Sequence, residues 1–205
     1  NLRTPDYAGF QLLGLNDYSG QGSALVGVLN VHWREKGYCT AEEWREFCSP
    51  VVPLARFPKF VFTDAEMLDI PVEVYHAGQA PLSGVSCTYT LSGLGEELRG
   101  HLPLRTLPVG KNIQAGRIIQ PLAAITTPAK ATLTVSIADA EGILIGHNHW
   151  ELWVYPAAQA LPEPGDIYLA EVLDDKALAV LSQGGKVLLT SAGKVTYGSD
   201  IVQHY

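Results

Sequence analysis

Ala131-Thr132-Leu133-Thr134-Val135-Ser136-Ile137 alternates apolar and hydroxyl side chains without a break. Successive side chains of an extended chain point to opposite faces, so Ala131, Leu133, Val135 and Ile137 fall on one side and the hydroxyls on the other. A helix would scatter both sets around its circumference. The stretch therefore reads as a strand with one buried face and one wet face. Upstream, Val72, Val74 and His76 alternate with Glu73 and Tyr75, and Val85, Cys87, Tyr89 and Leu91 alternate with Ser86, Thr88 and Thr90. Gly78, Pro81, Gly93, Gly95, Gly110, Pro121, Pro128 and Gly142 punctuate these runs at short intervals. Several short alternating strands separated by such turns predict a β-sandwich of immunoglobulin-like type over residues 58–156. The sequence has no Cys–Trp–Cys signature, so the expected likeness is one of architecture.

The flanks have a different rhythm. Gly9-Phe10-Gln11-Leu12-Leu13-Gly14-Leu15 reads as a short buried strand, followed by the turn-rich loop Asn16-Asp17-Tyr18-Ser19-Gly20-Gln21-Gly22. Leu25, Val28, Leu29, His32 and Trp33 recur at helical spacing, with Ser23 placed as N-cap and Gly37 as the stop. A second helix begins at Thr40, where Glu43 three residues on would complete a capping box; Trp44, Phe47 and Cys48 share one side, and Pro50 and Pro53 end it. Strand, loop, helix, helix is the pattern of a last βα unit, so residues 1–57 are expected to be an N-terminal (β/α)8-barrel remnant.

Beyond the linker Pro156-Ala157-Ala158-Gln159-Ala160-Leu161-Pro162-Glu163-Pro164-Gly165, a strand at Ile167-Tyr168-Leu169-Ala170 precedes a helix over 174–183 and a strand over 186–190. This predicts a truncated C-terminal α/β unit over 157–205. The whole reads as mainly β; opening on Asn1, it is expected to be either processed or cut from something longer, and one βα unit before the sandwich and two parallel strands after it favour an internal segment.

Composition excludes several classes of function. With 47% hydrophobic and 17% charged residues the chain is globular, and a formal charge of −7 opposes a nucleic-acid interface. No run of Lys and Arg offers a polybasic membrane patch, and no apolar stretch is long enough to cross a bilayer. Partners are therefore expected to include neither nucleic acid nor membrane. Cys39, Cys48 and Cys87 form no disulfide framework and no zinc pair, and read as free thiols.

No complete catalytic constellation emerges from residue types. Glycosidases need two carboxylates across one bond, and the acids here fall on helix caps and turns. A nucleophile elbow, a phosphate-binding glycine loop and a zinc helix are all missing from the sequence. Catalytic residues and cofactors are accordingly expected to be none in this segment. Asp17 and Tyr18 would follow a barrel strand, where barrels build their pockets, and so are candidate substrate-pocket residues together with Gln21; the alternative for Asp17 is a turn role. His147 and His149 share a strand face without a third ligand, so no metal site is expected. Alternation puts Trp153 and Tyr155 on one face and Trp150, Leu152 and Val154 on the other. These aromatic residues could stack on sugar rings, although aromatic residues on strands more often pack in cores or domain interfaces.

Two stretches resemble a known family. Gly9-Phe10-Gln11-Leu12-Leu13, Asn16 through Leu29, Trp33, Lys36-Gly37-Tyr38, Phe47-Cys48 and Val52-Pro53-Leu54-Ala55-Arg56 resemble the end of the catalytic barrel in bacterial, β-galactosidase-like family 2 glycoside hydrolases. Asn148-His149-Trp150-Glu151-Leu152-Trp153-Val154-Tyr155-Pro156 resembles the strand that closes the following sandwich. The resemblance implies a parent enzyme that hydrolyses β-galactosides or related β-glycosides, with its acid/base and nucleophile on earlier barrel strands. It implies a non-catalytic role here, neighbouring domains of the same chain as partners, and a periplasmic or secreted location that the residues themselves leave unknown. Where the family often has an aromatic followed by Pro, this sequence has Tyr18-Ser19. Two further functions fit the residues: a carbohydrate-binding sandwich module, or a scaffolding sandwich without ligand.

Overall fold

The computed structural model describes residues 1–22, 25–122, 125–157 and 163–194. The chain is mainly β and divides into two compact units, residues 1–157 and 158–205. In the first unit a short helix α1 (Ala41–Phe47) leads into ten strands: β1 (Val51–Ala55), β2 (Val61–Thr63), β3 (Met67–His76), β4 (Leu82–Ser83), β5 (Ser86–Ser92), β6 (Leu98–Leu102), β7 (Thr106–Leu107), β8 (Gly110–Pro121), β9 (Ala129–Ala138) and β10 (Leu144–Tyr155). They form a three-stranded sheet in the order β1-β3-β8 and a five-stranded sheet in the order β2-β10-β9-β5-β6, with β4 and β7 paired separately.

One apolar core lies between the two larger sheets. Leu68, Ile70, Val72 and Val74 of β3 meet Leu133, Val135 and Ile137 of β9 and Leu152 and Val154 of β10, all without solvent exposure. The alternation read from sequence is the burial pattern observed: β9 buries Ala131, Leu133, Val135 and Ile137 and leaves the intervening hydroxyls partly wet. Cys87 joins this core, and burial pushes its thiol up to about 12, so it stays protonated at any physiological pH. The chain crosses between sheets early. β1 pairs antiparallel with β3, whereas β2, a few residues later, pairs parallel with β10. Where β1 passes the start of β10, Gly146 lies so close to the Val51 carbonyl that any β-carbon would collide with it.

The first 40 residues depart from expectation. Gly9–Leu15 forms no strand and Leu13 is 89% exposed. Residues 25–37 form no helix; Ser23, the expected N-cap, lies outside the described residues. Leu29 instead bridges Asn16 on one side and Glu35 on the other. Asn30 accounts for much of this. Its side-chain oxygen accepts from the amides of His32 (2.9 Å) and Arg34 (3.1 Å), and Trp33 takes a left-handed φ of 60°. Such local side-chain bonds compete directly with helix hydrogen bonds. An amphipathic helix also needs a partner for its apolar face, and a lone strand needs neighbours for its amides.

The helix at Thr40 forms as read: the Thr40 hydroxyl accepts from the Glu43 amide (3.2 Å) and the Glu43 carboxylate accepts from the Thr40 amide (2.7 Å). That capping box holds the Glu43 carboxyl below its ordinary range. Pro53 does not end the ordered chain but sits within β1, an edge strand paired only with β3, where a missing amide is tolerated.

In the second unit, β11 (Ile167–Ala170), helix α2 (Asp175–Ser182) and β12 (Lys186–Leu189) follow one another, and β11 and β12 pair in parallel. Asp174 caps α2 by accepting from the Ala177 amide at 2.7 Å. The expected linker falls partly on residues 158–162, outside the described residues.

Candidate functional site

Asp17 is buried, and its environment explains how the irregular N-terminal loops hold together. Its carboxylate accepts from the Lys36 ammonium (2.7 Å) and from the Gly27 amide (2.8 Å). Lys36 also donates to the Leu25 carbonyl (3.1 Å), and the Tyr38 hydroxyl donates to the Gly27 carbonyl (2.8 Å). In this unit the Asp17 side chain is engaged in tying three loop segments together. Tyr18 next to it is 68% exposed. Gln21 ends a short 3-10 turn (Ser19–Gln21), and its side chain lies outside the described residues. The three pocket candidates thus share one loop.

A second polar cluster sits on the outer face of the three-stranded sheet. Glu73, nearly buried, accepts from Asn112 Nδ2 (3.0 Å) and Gln114 Nε2 (3.1 Å) and pairs with Arg56 Nε at 3.2 Å. Asn112 passes the link on to the Arg3 carbonyl at 2.8 Å. Asp17 and Glu73 are the two buried carboxylates among the described residues, and both are engaged by structural donors, Asp17 through Oδ1 and Glu73 through both oxygens.

On β10, His147 and His149 face helix α1. Glu46 accepts from His149 Nδ1 at 2.8 Å and stands 3.3 Å from His147 Nε2, fastening the helix to the sheet. Among the described residues no three His, Cys, Asp or Glu side chains are arranged to hold a metal ion.

Further along β10 the same face opens to solvent. Trp153 and Tyr155 project outward, 39% and 43% exposed, while Leu152 and Val154 point into the core. Trp150, on the core side, packs near Phe57 with ring centroids 6.0 Å apart. Beside Trp153 stand Val61 on β2 and Lys130 on β9, its register partners on either side. Lys130 pairs with Glu151 at 2.7 Å, and both are about half exposed. Glu151 was legible from parity alone, being two residues from Trp153. Lys130 was not, because only the β9–β10 register brings it there.

The model of a domain of unknown function, DUF8488, matches residues 66–156, which is less than half of the chain and spans β3 to β10. No curated protein is significantly similar. Among solved structures the chain is similar to the Pseudomonas fluorescens alkylpurine DNA glycosylase AlkC bound to DNA containing an abasic site analog, at 16% identity and a TM-score of 0.39, over 52% of this chain and 31% of that one. It is similar to the Amycolatopsis orientalis exo-chitosanase CsxA in complex with PNP-β-D-glucosamine, at 17% identity and a TM-score of 0.37, over 68% of this chain and 15% of that one. The Bacillus subtilis sporulation control protein Spo0M is similar at 15% identity and a TM-score of 0.29, over 51% of this chain and 48% of that one. The chain spans less than two thirds of each of these proteins, and at such TM-scores the likenesses carry no functional argument.

Proposed function

We propose that this chain is a non-catalytic segment of a glycoside hydrolase whose parent acts on β-galactosides or related β-glycosides. Residues 1–50 belong to the end of its catalytic barrel, and an immunoglobulin-like sandwich follows that opens with β1, seven residues earlier than the expected boundary at 57. The observation that carries the reading is the concentration of exposed apolar side chains where the family resemblance expects barrel. Phe10, Leu13, Leu25, Val26, Trp33 and Tyr38 are each more than half exposed, on segments without regular structure. Apolar surface of this extent marks an interface, and the remaining barrel strands are what would cover it.

The strand order supports the sandwich part. β1-β3-β8 against β10-β9-β5 is the arrangement of immunoglobulin strands A-B-E against G-F-C, with β2 as the parallel strand added after A changes sheets. In the parent the sandwich braces the barrel through β1 and α1 and spaces the next domain. The two buried carboxylates here are held by structural donors, so the paired acids of a retaining mechanism would come from upstream strands.

Hydrolysis of aryl β-galactoside, β-glucuronide and β-mannoside tests this. The 205-residue chain alone is expected to be inert, and the polypeptide extended upstream through a complete barrel is expected to turn over one of them. Turnover by the 205-residue chain that survives replacement of its acids, or inertness of the extended polypeptide on every β-glycoside, would overturn the proposal.

A further inference from the structure

We propose that the open end of the β10 outer face, centred on Trp153 and Tyr155, binds a neutral oligosaccharide as an auxiliary glycan site. The two rings lie on one face of one strand, about 7 Å apart at the usual rise per residue, so a single extended glycan can lie across both. Both are exposed where their neighbours Leu152 and Val154 are completely buried, and neither stacks on another aromatic ring among the described residues. Pyranose rings offer a C–H face suited to aromatic stacking and hydroxyls that both donate and accept. The rim matches that second demand. Lys130 offers donors and Glu151 acceptors, with Thr132 opposite Glu151 in the register.

Charge selects among ligands that could stack on these rings. Lys130 and Glu151 cancel each other, so the rim favours neither an anion nor a cation. Single-stranded nucleic acid also stacks on aromatic platforms, but it needs a cationic groove, and the chain carries −7. A neutral, polyhydroxylated chain is the class that remains. The site is built on β9 and β10, whereas Asp17 and Tyr18 belong to the N-terminal loops. It rests on the glycosidase reading only for the choice of glycan, β-linked galacto-, gluco- or manno-oligosaccharide.

The test is titration of the 205-residue chain with each of these oligosaccharides, followed by tryptophan fluorescence and calorimetry, in wild type and in Trp153→Ala, Tyr155→Ala and Glu151→Ala. Saturable binding to at least one glycan is expected, weakened at least about tenfold (~1.4 kcal/mol) by Trp153→Ala. Tyr155→Ala and Glu151→Ala, which remove exposed groups, are expected to weaken it with unchanged thermal unfolding, so a folding defect in the tryptophan variant would not hide the result. Flat titrations with every glycan, or binding that all three variants retain, would overturn the proposal and leave this face as a seat for a neighbouring domain. Because no hydrolysis is measured, inertness of the extended enzyme would sink the glycosidase reading without touching this one.

Discussion

Leu133→Ala lowers the stability of the first unit by about 2–5 kcal/mol, the range for a fully buried leucine whose site cannot collapse. Leu133 sits at the middle of β9, with β10 on one side and β5 on the other. Its register partners are Trp150 and Leu91, and it has no solvent exposure. Both neighbouring strands are fixed by their own hydrogen-bond ladders, so neither can move in to fill the void. Thr132→Ala, one residue away on the wet face, is expected to change stability by only about 0.5 kcal/mol. Urea unfolding of the two variants measures the contrast. A loss below about 1 kcal/mol for Leu133→Ala would mean that the two sheets do not share a tightly packed core.

Glu73→Ala is expected to cost about 3 kcal/mol, at the lower end for breaking a buried ion pair because Arg56 keeps partial access to water. The loss reaches three groups at once. Asn112 and Gln114 of β8 donate to this carboxylate and Arg56, just beyond β1, pairs with it, so it joins three segments of one sheet. Glu73→Gln keeps one acceptor oxygen and loses the charge and the second acceptor, so one of the two amides loses its partner, and about 1–2 kcal/mol is expected for it. The same urea unfolding measurement ranks the two variants. Equal and negligible effects would show that the cluster contributes nothing to folding.

The strands that sequence reveals and those it hides differ for physical reasons. β3, β5, β9 and β10 were legible because each buries one face against the core, which leaves a period-two signature. β1 was hidden by Pro53, which reads as a stop until an edge position makes it harmless. β8 was hidden by irregularity: its pairing with β3 shifts twice, and Gly116, at a φ of 141° and packed against Pro103, marks one break in the alternation. The helix expected after Ser23 had the right spacing but lacked a surface to bury against, and Asn30 supplied a local alternative.

The site shows the same division. Parity along β10 was enough to place Trp153 and Tyr155 on one face, and Glu151, which shares that parity, was passed over. Lys130 on β9, Glu46 on α1 and the Lys36 partner of Asp17 come from distant parts of the chain, and no local pattern points to them. Asp17 illustrates the limit most clearly. Its place in a turn-rich loop was readable, whereas its burial and its ionic partner were not.

The most direct test of the central claim is the mass of the natural protein that contains this sequence, with peptide coverage taken from the source cells. The account predicts a mass several times the 22.1 kDa of this chain, with peptides upstream of Asn1 that supply the rest of a barrel. A natural protein that begins and ends with these residues would contradict it, because nothing would then remain to cover the exposed apolar side chains of the first 40 residues.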